Sequence, residues 1–139
     1  MVASREHPLT QRQKLSLKDL AESTLIMREQ DSATRTAVEK LYGQHQIPLS
    51  VKLEMSSIEA IKQSVAQGFG LSVLSLHSFT EAEWVSEFAA LNVEHFPLHQ
   101  QWYLIFPRER VLSTIAKIFI DFVLQESSQY CQSYQSASD

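Results

Sequence analysis

Apolar residues fall in short blocks whose spacing switches between compact runs, alternation and helical stripes. Thr24 to Arg28 is a compact run of buried-strand length. From Ala33 to His45 the spacing turns helical, with Ala37, Val38, Leu41 and Tyr42 on one face. Pro48 breaks the chain, and Ser50 to Met55 alternates as a strand. Ser56-Ser57-Ile58-Glu59 has the capping-box pattern and opens a helix to Gln67 that buries Ile58, Ile61 and Val65. Gly68-Phe69-Gly70 ends that helix, one glycine supplying a left-handed cap. Leu71 to Leu76 is a second buried strand, and the capping box Thr80-Glu81-Ala82-Glu83 starts a helix to Ala90.

The ends complete the pattern. Val2-Ala3-Ser4 is the end of a strand, and Ser16 caps a short helix, LKDLAES, with Asp19 in its first turn. Strands are predicted at Asn92–Phe96 and Gln101–Phe106. A helix from Ser113 to Gln125 carries the stripe Ile115, Ile118, Phe119, Phe122 and Val123. Core packing explains that stripe more simply than a partner-binding face. The polar tail 126–139 is predicted to be disordered. Strands alternating with amphipathic helices define an α/β domain.

Composition narrows the classes. The chain has 139 residues, 44% of them hydrophobic and 20% charged, which suits a globular domain with a real core. A net charge of -4 argues against nucleic-acid binding by this chain. One cysteine, Cys131, leaves no intramolecular disulfide and no cysteine metal cluster. No apolar run reaches the ~20 residues of a membrane span, and MVASREHPL lacks a signal-peptide core. The expected setting is cytoplasmic, away from the membrane.

No catalytic constellation is present. The five histidines show no HxxH or HExxH spacing, and Pro97 separates His95 from His99. Gly68-Phe69-Gly70 follows a helix and precedes a strand, the reverse of a phosphate-binding glycine loop. Trp102-Tyr103 has no basic cluster beside it for base stacking. Neither a metal nor a cofactor is expected, and an enzyme is disfavoured.

The loop REQDSATR, Arg28 to Arg35, is chemically richer. It joins a strand to a helix, at the sheet edge where α/β domains bind ligands. Ser32 is placed to cap the helix while the N–H groups of Ala33, Thr34 and Arg35 point outward, an arrangement that attracts anions. Thr34 adds a hydroxyl, and Arg28 or Arg35 a bidentate grip on a carboxylate or phosphate. An ordinary N-cap with an Arg35–Glu39 surface ion pair explains the same residues.

Taken together, VASREHPL, SLKDLAESTLIMREQDSATRTAVEKLY, SSIEAIKQSVAQGFGLSVLS and PLHQQWYLIFPRERVLSTIAKIFIDFV resemble the effector-binding domain of LysR-type transcriptional regulators. The nearest likeness is to the branch controlling carbon-dioxide-fixation and inorganic-carbon genes. The resemblance implies a periplasmic-binding-protein-like pair of α/β subdomains with the effector between them. Residues 1–98 then correspond to the second subdomain with its crossover strands, and 99–125 to the closing strand and helix of an incomplete first subdomain. The helix-turn-helix has no counterpart here, so the chain reads as a truncated regulator that does not itself bind DNA.

By the same resemblance, Arg28, Glu29, Ser32 and Thr34 line the effector cleft, and a phosphorylated sugar or similar anionic metabolite is the ligand. Glu59, Lys62 and Gln63, on the outer side of their helix, match a family dimer surface, although plain solvent exposure fits them equally. The implied partner is a second copy or an intact regulator. A fragment of a transporter's solute-binding protein, which shares the fold, and an interaction module stand as alternatives.

Overall fold

The computed structural model describes residues 1–109 and 111–135. The chain divides into two compact units, Met1–His99 and Gln100–Asp139.

In the first unit five short strands form one mixed sheet: β1 (Val2–Ser4), β2 (Leu25–Met27), β3 (Val51–Glu54), β4 (Leu71–Ser72) and β5 (Phe88–Ala90), in the order β3-β2-β4-β1-β5. β2 runs parallel to β3 and β4, whereas β1 is antiparallel to β4 and β5. Helices α1 (Ala33–Gln44) and α2 (Ile58–Ala66) follow β2 and β3, as the periodicity predicts. A third helix, α3, spans Glu81–Ser86.

Alternation along β2 sorts its side chains between two cores. Leu25 and Met27 join Val38, Leu41 and Tyr42 of α1, together with Leu15, Leu17, Leu91 and Val93. Ile26 faces the other way, with Val2, Ile61, Val65 and Phe88. β2 therefore reads apolar on both faces, as a strand paired in parallel on both sides and covered on both faces requires, whereas the edge strand β3, with Lys52 and Glu54, is largely exposed. Two glycines are fixed by the backbone. Gly68 has φ +77 and caps α2, while a Cβ on Gly70 would meet the Thr24 carbonyl oxygen at 2.2 Å. The Ser16 cap holds as expected, with the Ser16 hydroxyl and the Asp19 carboxylate bonding reciprocally around a 3-10 turn at Leu17–Leu20.

Several expectations are corrected. The helix from Thr80 stops at Ser86, and Phe88–Ala90 pairs with β1 instead of completing it, because Phe88 is drawn into the second core. The expected strand at Asn92–Phe96 shrinks to one bridge, Leu15 to Val93, before His95 turns at φ +70. β4 keeps only Leu71–Ser72, since Ser75 caps a new 3-10 turn at Leu76–Ser78. The cap of α2 lies one residue later than expected: Ser57 accepts from the Ala60 N–H, and Glu59 turns to Lys62.

In the second unit, Gln101–Phe106 forms no strand, because no partner strand occurs there among the described residues. Helix α4 (Thr114–Gln135) runs past its expected end at Gln125 and through most of the tail predicted to be disordered. No proline or glycine stands in its path. The rest of that tail, 136–139, lies outside the described residues. No helix among the described residues is long and apolar enough to cross a membrane.

Candidate functional site

The parallel strands β2 and β3 end at one edge of the sheet, and the helices that follow them begin there. The Arg28–Arg35 loop and the Met55–Ser57 turn are thus neighbours, tied by the Met55 N–H donating to the Met27 carbonyl at 3.0 Å. Two helix N-termini consequently share this edge. The sequence shows the second as a capping box before Ile58, but not that it stands beside the loop.

Within the loop, Arg28 and Glu29 form a bidentate pair. Nε and one terminal nitrogen of Arg28 donate to the two Glu29 oxygens at 2.8 and 2.6 Å. The Arg28 side chain is 24% exposed and that of Glu29 36%. These bonds, with a further one from the backbone N–H of Glu29, hold its carboxyl at about 2, well below the usual range. The same pairing raises Arg28.

Ser32 occupies the N-cap position, and its carbonyl accepts from the Thr36 N–H at 3.0 Å. Its hydroxyl makes no cap bond, contrary to expectation, which leaves that hydroxyl outside the helix. The side chain of Thr34 is half-buried, with no hydrogen bond to its hydroxyl among the described residues.

Arg35 is not presented to a ligand. It is buried, with Nε donating to Glu39 at 2.5 Å and Nη1 to the Arg28 carbonyl at 3.3 Å, while Glu54 of β3 lies 3.7 Å away. Its charge fastens α1 to the ends of β2 and β3, and the Arg35–Glu39 alternative describes it better than a ligand grip does. Hollows of about 260 Å³ beside Ser4, His7 and Gly68 and about 220 Å³ beside Lys18, His45 and His95 include no residue of the loop. The loop is an open wall. No group of three potential metal-ligating side chains occurs among the described residues.

The expected dimer surface divides. Glu59 and Gln63 are exposed, but Lys62 is buried, and the reason lies in its partners. Its ammonium reaches Glu83 of α3 at 2.5 Å, Glu59 at 3.3 Å and the Ser78 carbonyl at 3.0 Å, and lies 5.4 Å from the centre of the Phe79 ring. Burial opposes its charge, yet the hydrogen bonds it donates to Glu83 and Glu59 prevail and raise its pKa. Glu83, hydrogen-bonded to Lys62 and to the Thr80 N–H, is lowered to about 2. Lys62 lies four residues after Ile58 and three before Val65, on the apolar stripe, and that spacing was the signal for its burial.

A mixed α/β sheet with helices on both faces and an open, polar loop at the ends of its parallel strands is the architecture of a ligand-binding subdomain. The LysR substrate binding domain family matches residues 1–128, and the chain belongs to that family. Its fold is accordingly periplasmic-binding-protein-like.

The chain is 43% identical over 123 residues to the HTH-type transcriptional activator CmpR of Synechocystis sp. (strain ATCC 27184 / PCC 6803 / Kazusa), a match covering 88% of this chain and 40% of CmpR. It is 39% identical over 129 residues to the RuBisCO operon transcriptional regulator of Allochromatium vinosum, covering 93% of this chain and 43% of that protein. Among solved structures it resembles the Synechocystis PCC6803 CcmR regulatory domain in complex with 2-PG, with a TM-score of 0.80 and 37% identity over 89% of this chain and 60% of that one. The effector binding domain of QuiR in complex with shikimate shares the fold, with a TM-score of 0.75 and 21% identity over 92% of this chain and 60% of that one. The chain spans about two fifths of the length of the curated relatives it matches.

Proposed function

We propose that this chain is the effector-sensing part of a LysR-type transcriptional regulator and that it contacts a small anionic metabolite, a phosphorylated sugar or similar, through the Arg28–Thr34 loop. The observation that carries this reading is a half-exposed set, Arg28, Ser32 and Thr34, at a helix N-terminus on the ligand edge of the sheet. The likeness to a regulatory domain solved with 2-PG supports it. In this reading residues 1–98 form the second effector subdomain with its crossover strands, and 99–125 close the first. The parent regulator works in the cytoplasm as a DNA-bound oligomer, and the exposed residues Glu59 and Gln63 contribute to subunit contact.

Arg28 supplies charge and a planar fork of donors, and Thr34 a hydroxyl within reach of the first helical turn. Calorimetric titration of the chain with 2-phosphoglycolate tests the assignment. Arg28→Ala is expected to weaken binding by about tenfold or more and Thr34→Ala by several-fold, as loss of a charged and a neutral hydrogen bond implies. Unchanged affinity in both variants would remove the site from this loop.

A further inference from the structure

The guanidinium offered to a ligand is already occupied. Glu29 holds the Nε edge of Arg28 with both carboxylate oxygens, and these two residues are adjacent in sequence. Four carboxylates, Glu29, Asp31, Glu39 and Glu54, stand on or beside a loop that has two arginines, Arg28 and Arg35. Glu39 and Glu54 are taken up by the buried Arg35, while Asp31 is exposed and makes no ion pair among the described residues. An incoming anion therefore meets a loop whose accessible arginine, Arg28, is neutralised from within.

We infer that Glu29 acts as an internal anion that occupies Arg28 in the empty site and must be displaced by the ligand, so that it sets the affinity of the loop. This inference rests on the anion-binding reading above. Two anions cannot share the Nε edge of one guanidinium, and a ligand confined to the other edge would lie beside the Glu29 carboxylate, whose charge already offsets that of Arg28. On the shared edge the cost of releasing Glu29 is subtracted from the ligand's own contact, as when only a fraction of the protein is competent to bind; on the other edge the repulsion from Glu29 is subtracted. Protonation does not release the pair at physiological pH, because the Glu29 carboxyl titrates at about 2. A competing anion does.

The test is calorimetric titration of 2-phosphoglycolate into the wild-type chain, Glu29→Gln, Asp31→Asn, Arg28→Ala and the Arg28→Ala/Glu29→Gln double variant, with thermal melts to verify folding. Glu29→Gln is expected to bind about tenfold more tightly than wild type, since the amide cannot hold the guanidinium as a carboxylate does. Asp31→Asn, which removes the same charge without touching Arg28, should change affinity by less than about twofold. The gain from Glu29→Gln should vanish in the Arg28→Ala background. Wild-type binding with no gain, or a loss, in Glu29→Gln overturns the exchange and leaves the anion site standing. An equal gain in Asp31→Asn overturns it in favour of a general charge effect. Absence of binding in every chain overturns both this inference and the reading on which it rests.

Discussion

Ser72 and Lys62 show how one polar residue acquires opposite consequences from its neighbours. The hydroxyl of Ser72 is fully buried, and among the described residues it has no hydrogen-bond partner. It stands in register with Val2 and Ile26, on the face covered by α2. A desolvated, unpaired hydroxyl costs free energy, so Ser72→Ala is expected to be neutral or to stabilise by about 1 kcal/mol in urea denaturation. Lys62 is as deeply placed but has three oxygen partners. The sequence made the chemistry of Arg28 and Glu29 legible, because a charged pair leaving an apolar strand stands out. It did not disclose that the two would grip each other, which adjacency alone does not decide, or that Arg35 would be buried, which depends on Glu54 of β3 and the Arg28 carbonyl as well as on Glu39.

At the scale of elements, the Lys62 cluster joins α2 to α3, two helices linked otherwise through the small core around Ile61, Val65 and Phe88. Lys62→Ala should lower the melting temperature by roughly 3–10 °C, as loss of a partly buried ion pair in a domain of this size implies. The sign of the pH dependence follows from Glu83, and likewise from Asp19 and Glu29, all held at about 2 in the folded chain. Between the ordinary carboxylate range near 4 and about 2, the unfolded chain binds protons that the folded one does not. Stability is thus full above that window and declines as pH falls through it. Denaturation midpoints at pH 6, 4 and 3 measure the decline, and the Lys62→Ala slope should be shallower because Glu83 loses its first partner. Helices with strong stripes, α1 and α2, were legible almost to the residue, although their cap bonds were not. The short elements after β4 were not, because Phe88 and Val93 are placed by distant partners, β1 and Leu15, and local spacing carries no trace of that.

For the whole molecule, the two units differ in how they treat apolar surface. In Met1–His99 the large apolar residues are mostly covered by two cores. In Gln100–Asp139, Trp102 and Ile105 are 95% and 91% exposed, and Ile115, Ile118, Phe119 and Phe122 of α4 are exposed as well. Such a surface promotes association. Light scattering of the chain should show apparent mass rising with concentration, and Phe119→Glu should reduce that rise. A concentration-independent mass equal to one chain would contradict it. The amphipathic stripe of α4 was legible in the sequence, but spacing alone favoured core packing; its exposure follows only from the family resemblance, in which an incomplete first subdomain leaves that face without partners. The order of the sheet has a further consequence, for synthesis. β1, the earliest of the five strands in sequence, lies between β4 and β5, with Val2 opposite both Ser72 and Ala90. On the ribosome its edges therefore wait for the far end of the unit to emerge, roughly 4–18 s at ordinary elongation rates. Throughout that interval β2, β3 and their helices can pair and dock, whereas β1 gains its first neighbour only when β4 is made and its second when β5 is.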